Sequence, residues 1–254
     1  MTGYPDAAPL TSMSDYDTHS GQAADRAAWL RSLRRENEQQ EDALAPEYDA
    51  RWGEIEDTHQ VFVERFLSML PPRASVLDAA CGTGKYFPLV LASGRSLLGV
   101  DHSGAYLAEA EAKFSGVSTE KHDLQDLPYK DEFDGVMCVD AMEFIPPEDW
   151  PVVLERFRKA LHAHGRLYMT VELVAEDRVR ASNEQARRSG LPVVEGEAIW
   201  HDVDDYYHYY PPKEQVRAWL IEAGFAVEDE AEAPWHEEGY AYHHVLARVD
   251  TPPS

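Results

Sequence analysis

A glycine-containing loop between a predicted strand and a predicted helix is the part of the sequence best suited to chemistry. Residues 75–86 read SVLDAACGTGKY, so an apolar strand end is followed by an acid and then by Gly82 and Gly84. Such a loop places backbone N–H groups and a helix N-terminus against a ligand, and glycine lets the ligand approach the backbone closely. The spacing therefore predicts a ligand site at this loop.

A second acid ends the next predicted strand. Residues 96–101 read SLLGVD. Asp101 lies about 20 residues beyond the loop, which is the spacing expected of a carboxylate that binds ribose hydroxyls. Loop and acid together predict a ligand that carries a ribose.

These two features resemble the class I S-adenosylmethionine (SAM) methyltransferases, whose glycine loop reads roughly L-D-x-G-x-G-x-G. Residues 77–84 read LDAACGTG, so Ala80 stands where the family has its first glycine. The resemblance continues through residues 121–124 (KHDL) and 133–140 (FDGVMCVD) and covers roughly residues 48–248. It implies SAM as the cofactor and methyl transfer as the reaction.

The resemblance also implies which residues bind the methionine part of the cofactor. Gly82 and Gly84, with Ala80 in the same loop, would hold that part. Asp78 would lie near the same loop and the amino group of the cofactor. Asp140, which follows the fourth strand, is predicted to contact the cofactor at the mouth of the acceptor site.

The adenosine part is assigned to residues after the second and third strands and to one aromatic residue near the N-terminus. Asp101 would bind the ribose, and Asp123 would contact the adenine amine. Leu124 and His102 would form apolar or stacking walls. Tyr48 would close over the cofactor from the segment ahead of the first domain helix.

The acceptor of the methyl group should lie at the carboxyl ends of the strands, since doubly wound folds bind their ligands there. Glu143 follows the fourth strand and Glu172 ends the fifth. Glu172 has apolar neighbours in the sequence, so burial would raise its pKa and suit it to act as a base. Glu143 and Glu172 are therefore candidate catalytic residues, together with His208.

His208 belongs to an aromatic segment, residues 200–210, that reads WHDVDDYYHYY. Aromatic faces bind cations, and the sulfonium of SAM is one. We predict that this segment folds over the carboxyl ends of the fourth and fifth strands, with Trp200, His201, Tyr207 and Tyr210 contacting the acceptor. Packing of the segment onto the sheet is the alternative. No metal site is predicted, because the histidines lack the spacing typical of zinc ligands.

Alternating strand and helix patterns predict a doubly wound, mostly parallel seven-stranded sheet with an antiparallel last strand. Residues 1–22 are predicted to be a disordered tail and residues 23–70 to form N-terminal helices. Residues 71–250 would form the SAM-binding domain, with an insertion at 189–210. The N-terminal helical extension leaves two roles open, that of a lid and that of a contact in a homodimer. Predicted strands are 74–79, 96–101, 117–122, 133–139, 165–173, 225–230 and 240–248, and predicted helices include 23–44, 54–70, 84–93, 103–114, 148–162, 176–188 and 211–223.

Composition limits the partners. The formal net charge of −24 would repel nucleic acid and anionic lipid. No apolar run approaches the ~18 residues that span a bilayer. The N-terminus lacks the pattern of a signal peptide, and Cys81 and Cys138 have no metal-ligand spacing, so we expect a cytoplasmic protein.

The sequence favours methyl transfer from SAM to an oxygen or nitrogen of a small molecule, with a slight preference for an amine or aromatic acceptor. Methylation of carbon in an alkene or isoprenoid is one alternative. A SAM-binding module without catalysis is another, and a nucleotide-dependent dehydrogenase is a third. The identity of the acceptor does not follow from the sequence.

Overall fold

The computed structural model describes residues 13–201, 206–234 and 240–250, with side chains from residue 25 onward. Its strands are β1 (Ser75–Ala79), β2 (Ser96–Asp101), β3 (Ser118–Lys121), β4 (Phe133–Cys138), β5 (Leu161–Val174), β6 (Glu197–Trp200), β7 (Tyr206–Tyr209), β8 (Phe225–Pro234) and β9 (Tyr240–Val249). Its α-helices are α1 (Met13–Trp52), α2 (Asp57–Met69), α3 (Phe87–Ala92), α4 (Gly104–Lys113), α5 (Trp150–Ala160), α6 (Glu176–Arg188) and α7 (Lys213–Glu222).

Seven strands form the main sheet, in the order β3-β2-β1-β4-β5-β9-β8. The first five of these are parallel to one another, and β9 is antiparallel to both β5 and β8. The five parallel strands are joined by segments that contain helices, whereas β8 and β9 are separated by only a few residues, which permits antiparallel pairing alone. This arrangement confirms the predicted doubly wound fold with an antiparallel last strand.

Helices cover both faces of the sheet because neighbouring residues of each central strand point to opposite sides. Leu77 of β1 belongs to the cluster that includes Trp150 and Phe157 of α5. Val76, one residue earlier, belongs to the cluster that includes Phe66 of α2. The sheet is therefore a rigid layer between two apolar cores, and its strand ends hold the loops of the site in place.

The N-terminal helix is longer than the sequence predicts. Residues 13–22, expected to be disordered, lie within α1, and residues 1–12 lie outside the described part of the chain. Extension of an existing helix adds one hydrogen bond per residue, and residues 13–22 contain no proline. At its other end α1 continues through Pro46 to Trp52 rather than ending at Leu44.

The aromatic insertion contains a β-hairpin that the sequence does not predict. β6 and β7 pair antiparallel, with Ala198 opposite His208, in a sheet of their own. The turn between them, residues 202–205, lies outside the described residues. In the part of the chain with described structure, none of the helices is long and apolar enough to cross a membrane.

Candidate active site

A cavity of about 410 Å³ lies at the carboxyl ends of the parallel strands. Its floor is formed by the loops that follow β1, β2, β3 and β4 and by the end of β5, and α1 supplies one wall. The predicted cofactor residues on its lining are Tyr48, Ala80, Gly82, Asp101, His102, Asp123, Leu124 and Asp140. The predicted catalytic residues Glu143, Glu172 and His208 line the same cavity.

The two glycines of the loop have different surroundings. Gly82 has a φ of 54°, and a Cβ placed on it would meet no atom within 4 Å, so its open side faces the cavity. Gly84 has a φ of 83°, but a Cβ there would lie 2.9 Å from the ring of Phe87 and 3.1 Å from that of Phe114. Gly82 therefore leaves space for a ligand, whereas Gly84 allows a helix to pack closely.

Ala80 adopts a left-handed backbone, with a φ of 65°. This conformation is unfavourable for a residue with a Cβ and typical of glycine. Ala80 stands where the resembling family has glycine, and the chain keeps the glycine conformation there. The departure in the motif therefore leaves the shape of the loop intact.

Asp101 is 5% exposed and holds the loop in place. Its carboxylate accepts hydrogen bonds from the N–H of Gly82 at 2.8 Å and from the N–H of Ser103 at 2.9 Å. Burial, followed by the negative charge of Glu41, raises the pKa of Asp101 to about 6. Asp101 thus orders the glycine loop and faces the cavity, which is the position that a ribose-binding carboxylate requires.

His102 lies between two acids at the same end of the cavity. Its Nε2 contacts a carboxylate oxygen of Glu41, and its Nδ1 lies 3.6 Å from Asp123. Burial acts to lower the pKa of His102, but these hydrogen bonds outweigh it and raise the pKa to about 10. His102 is therefore a cation at neutral pH, flanked by Asp123 and by Leu124, which is buried and also lines the cavity.

Asp78 is buried behind the loop and does not belong to the cavity lining. Its Oδ2 has no hydrogen-bond partner among the described residues. Burial, with a smaller effect of Asp101, raises the pKa of Asp78 to about 8. A cationic group placed near this carboxyl would be stabilised by it, so the predicted proximity to an amino group stays a prediction.

Helix α1 is tied to these loops by its acidic side chains. Asp42 accepts a hydrogen bond from the Ser103 hydroxyl at 2.6 Å. Asp49 accepts hydrogen bonds from the Thr83 hydroxyl and the Lys113 ammonium, both at 2.5 Å. These contacts hold α1 against the loops that follow β1 and β2, so the helix covers this side of the cavity.

Aromatic side chains of α1 enter the cavity beside these anchors. Tyr48 lies 4.9 Å from the Tyr106 ring and 5.6 Å from the Trp52 ring, measured between ring centroids. Tyr48 and Trp52 both line the cavity. Tyr48 therefore lies where the sequence places an aromatic residue over the cofactor.

Asp140 lies at the end of β4 with a φ of 55°, an unfavourable backbone for a residue other than glycine. Its N–H donates to the Thr170 hydroxyl at 2.9 Å. Its carboxylate accepts a hydrogen bond from the Tyr86 hydroxyl at 3.3 Å, and it lies 3.7 Å from the Lys85 ammonium and 3.4 Å from His59 Nε2. Strained backbone of this kind concentrates at functional sites.

Glu143 is a buried acid with one carboxyl oxygen that has no hydrogen-bond partner among the described residues. It is 4% exposed, and its Oε2 accepts no hydrogen bond from the described residues. Burial, together with the charges of Glu172 and Asp140, raises the pKa of Glu143 well above its usual range. An acid in this state suits proton transfer or the neutralisation of a bound cation.

Glu172 forms a hydrogen-bonded cluster with the aromatic insertion. Its Oε2 accepts a hydrogen bond from the Tyr210 hydroxyl at 3.0 Å and lies 3.1 Å from His208 Nδ1. The Tyr210 hydroxyl also lies 2.8 Å from His208 Nδ1 and accepts a hydrogen bond from Trp200 Nε1 at 2.9 Å. The insertion thus places His208 and Tyr210 against the acid at the end of β5.

The other predicted substrate residues have mixed positions. Tyr207 borders the cavity but is 2% exposed, and its hydroxyl donates to Glu197 at 2.6 Å. Glu197 is fully buried and pairs with Arg26 of α1 at 2.7 Å. Neither His201 nor Tyr210 belongs to the cavity lining. Trp200 and His208 are therefore the insertion residues best placed to contact an acceptor.

Sequence reasoning missed the acids of α1 and two residues after the glycine loop. Glu41 and Asp49 reach the cofactor loops from a helix that the sequence separates from them by many residues, and Lys85 and Tyr86 face Asp140. The sequence does contain a pattern that could have identified the acidic face of α1. The acids Glu38, Glu41, Asp42 and Asp49 follow helical spacing, so they share one face of the helix.

Comparisons with known proteins agree with this geometry. Residues 76–165 match a family model described as "Methyltransferase domain". The carboxy-S-adenosyl-L-methionine synthase of Wolinella succinogenes is 27% identical over 175 residues, which cover 63% of this chain and 72% of that protein. The matched residues include the glycine loop, Asp101, Asp123 and Asp140.

Solved structures share the fold at low identity. A SAM-dependent methyltransferase of Methanosarcina mazei superposes with a TM-score of 0.63 and 14% identity, covering 72% of this chain and 95% of that one. Another, from Clostridium acetobutylicum, has a TM-score of 0.61 and 15% identity, covering 82% and 98%. The sheet order and the glycine loop agree with these matches: the chain has the fold of the class I SAM-dependent methyltransferases, and residues 76–165 match a methyltransferase domain.

Proposed function

We propose that the enzyme transfers the methyl group of SAM to an oxygen or nitrogen of a small-molecule acceptor, which binds beside Asp140, Glu143 and Glu172. Bound SAM supplies an electrophilic methyl group on a sulfonium. The observation that carries the proposal is the buried carboxyl of Glu143, whose Oε2 has no hydrogen-bond partner among the described residues and which lines the same cavity as the glycine loop.

The cofactor residues fit this use of the cavity. Gly82 leaves open space where a side chain would fill it, and Asp101 is fixed by two backbone N–H groups. Asp123 and Leu124 lie at one end of the cavity lining, and Asp140 lies at the other, after the central strand β4. The chain thus offers contacts for the two ends of an elongated cofactor.

The cluster of Glu172, His208 and Tyr210 supplies a route for a proton. His208 Nδ1 contacts Glu172 and the Tyr210 hydroxyl, so the nitrogen that can accept a proton from a substrate is Nε2. A carboxylate on the far side of the ring stabilises the protonated imidazole. His208 can therefore remove a proton from an acceptor hydroxyl or ammonium group, and Glu143 can serve a second acceptor atom.

Charge argues against synthesis of a carboxylated SAM, the product that the name of the Wolinella relative suggests. A carboxylate at the transferred carbon would meet Asp140, Glu143 and Glu172. Lys85, which lines the same region, already lies 3.7 Å from Asp140. The negative charge of this region favours the cationic sulfonium of SAM itself.

The proposal is tested by supplying SAM with pools of phenols, alcohols, amines and thiols and measuring release of S-adenosylhomocysteine (SAH). We expect release above the acceptor-free rate with at least one pool, and methylated product by mass spectrometry. His208→Ala and Glu143→Gln should lower that rate, while Glu222→Gln, at the exposed end of α7, should leave it unchanged. SAH binding without release from any pool would contradict the proposed transfer.

A further inference from the structure

The acceptor end of the cavity is rich in acid, with Lys85 3.7 Å from Asp140 and His208 3.1 Å from Glu172 but no basic partner for Glu143 among the described residues. Asp140, Glu143 and Glu172 all line it. Two arginines on the lining are engaged with acids of their own: Arg34 with Asp149 at 2.7 Å and Arg51 with Glu47 at 2.5 Å. Three carboxyls that face one cavity raise the free energy of each other's ionised forms, and a cation bound among them would lower it.

Glu143 is the member of this group that points to a ligand. It is 4% exposed, and its Oε2 has no hydrogen-bond partner among the described residues. A buried polar atom without a partner destabilises the protein, so a hydrogen-bond donor supplied by a ligand would recover that free energy. The raised pKa of Glu143, caused by burial and then by Glu172 and Asp140, agrees with the lack of a positive partner.

Aromatic rings surround these acids. The rings on the lining of the same cavity include Phe144, Trp200, Tyr206, Tyr240 and Tyr242. Two of them already hold a cation, since the Arg178 guanidinium lies 5.5 Å from the Trp200 ring centroid and 5.0 Å from that of Tyr240. Aromatic faces combined with carboxylates form a recognised type of site for ammonium groups.

We infer that the acceptor is an amine that enters the site as an ammonium cation, and that the enzyme is an N-methyltransferase. This inference rests on the proposed function and names its substrate class. Phenolates and carboxylates are disfavoured as acceptors, because their charge would meet Asp140, Glu143 and Glu172, and the Lys85 ammonium of that region already lies 3.7 Å from Asp140.

The transfer balances within this set of residues. The ammonium loses one proton to His208 Nε2, whose imidazolium is stabilised by Glu172. The nitrogen lone pair then forms the new N–C bond while the S–C bond breaks and its electron pair stays on sulfur. The positive charge passes from sulfur to nitrogen, so the methylated product is again an ammonium ion that faces Glu143. The carboxyls therefore stabilise charge on both sides of the step.

Calorimetry on the full chain saturated with SAH tests this substrate class with three probes of similar size: 2-phenylethylamine, 2-phenylethanol and phenylacetate. We expect the amine to bind at least about tenfold more tightly than the alcohol, and phenylacetate to bind more weakly than both. Glu143→Gln and Glu172→Gln, which keep the side-chain shape, should each remove most of the preference for the amine. Glu222→Gln is the matched control and should keep it.

The outcomes separate the two proposals. Equal or tighter binding of the alcohol or of phenylacetate, or no binding of any probe to the SAH-loaded protein, would overturn the amine assignment and leave SAM binding intact. A preference for the amine that persists in both glutamine variants would also overturn it. Failure of the protein to bind SAH at all would contradict the proposed function instead.

Discussion

Single residues of the site are held in protonation states that differ from those of free side chains. Burial raises the pKa of Asp78 to about 8, from an ordinary value of 3.8. The folded protein therefore holds this proton more tightly than the unfolded chain does. The stability that the proton contributes is fully present below pH 4 and is lost as the pH rises towards 8.

Asp78→Asn should consequently become more stable relative to the unsubstituted protein as the pH increases, because asparagine cannot ionise. The free energies of unfolding should diverge by up to about 1.4 kcal/mol per pH unit between pH 4 and pH 8. Urea unfolding at pH 5 and pH 7.5 measures this difference, with Glu222→Gln as an exposed control. If the free energies of unfolding of Asp78→Asn and of the unsubstituted protein change equally between the two pH values, Asp78 has an ordinary pKa.

Some positions of the site can be predicted from the sequence, and others cannot. The spacing of Gly82 and Asp101 predicts their position at the cavity, because a strand, a tight loop and a second strand fix both. The separate role of Gly84 depends on Phe114, which approaches from a different helix, so no local pattern shows it. The lack of a hydrogen-bond partner at Oε2 of Glu143 likewise depends on the residues that surround it in three dimensions.

At the scale of elements, α1 and the β6–β7 hairpin close the site from above. Asp42 and Asp49 fix the helix to the cofactor loops, and Arg26 pairs with Glu197 of the hairpin. The helical spacing of its acids places them on one face of α1, but the partners of that face are distant in the sequence, so the sequence left open whether the helix is a lid or a dimer contact. The hairpin escaped prediction because its dense aromatic residues do not alternate with polar ones.

Removal of the anchors in the double variant Asp42→Ala/Asp49→Ala should speed the release of SAH. Both acids are solvent-exposed, so we expect an increase of about threefold to tenfold rather than a loss of binding. Stopped-flow displacement measures the release rate. Glu36→Ala, an exposed acid on the same helix, should leave the rate unchanged, and an equal effect in that variant would contradict the assignment of anchors.

Tyr207 and His208 are neighbours in β7 but should respond differently to substitution. Tyr207→Phe removes a hydrogen bond to the buried Glu197 and should lower the free energy of unfolding by about 1–2 kcal/mol, with turnover largely kept. His208→Ala should lower turnover strongly and leave SAH affinity within about twofold. Urea unfolding, SAH calorimetry and SAH-release rates distinguish the two. Loss of SAH binding in His208→Ala would make the hairpin a cofactor lid instead.

At the scale of the whole molecule, the sheet is the part most completely predicted by the sequence. Alternating strands and helices predict the parallel strands β1 to β5, and the short last connection predicts the antiparallel β9; the order of the strands comes from the structure. These features are local and periodic, and they fix the carboxyl edge where the site must lie. The N-terminal helix is not predicted to its full length, because propensity alone does not set its ends.

The net charge of −24 predicts behaviour towards polyanions. Duplex DNA and structured RNA should not bind at physiological salt, since the long-range field is repulsive. Fluorescence anisotropy with both nucleic acids measures this directly. Tight binding that weakens with salt would overturn the assignment to small-molecule acceptors.

The cavity beside Gly82 is expected to bind SAM. The chain offers a matched pair for its test: Gly82 and Gly94 both have positive φ, 54° and 75°, and a Cβ on either would meet no atom within 4 Å. Only Gly82 lines the cavity. Valine at either position introduces comparable backbone strain, so thermal unfolding of both variants serves as the control.

The decisive measurement is calorimetric titration of SAM into the unsubstituted protein, Gly82→Val and Gly94→Val. We expect one molecule of SAM to bind per chain in the unsubstituted protein and in Gly94→Val. Gly82→Val should lose at least about a hundredfold in SAM affinity, because the valine side chain occupies the space of the cofactor. Unchanged SAM affinity in a folded Gly82→Val variant, or no binding to the unsubstituted protein, would contradict this expectation.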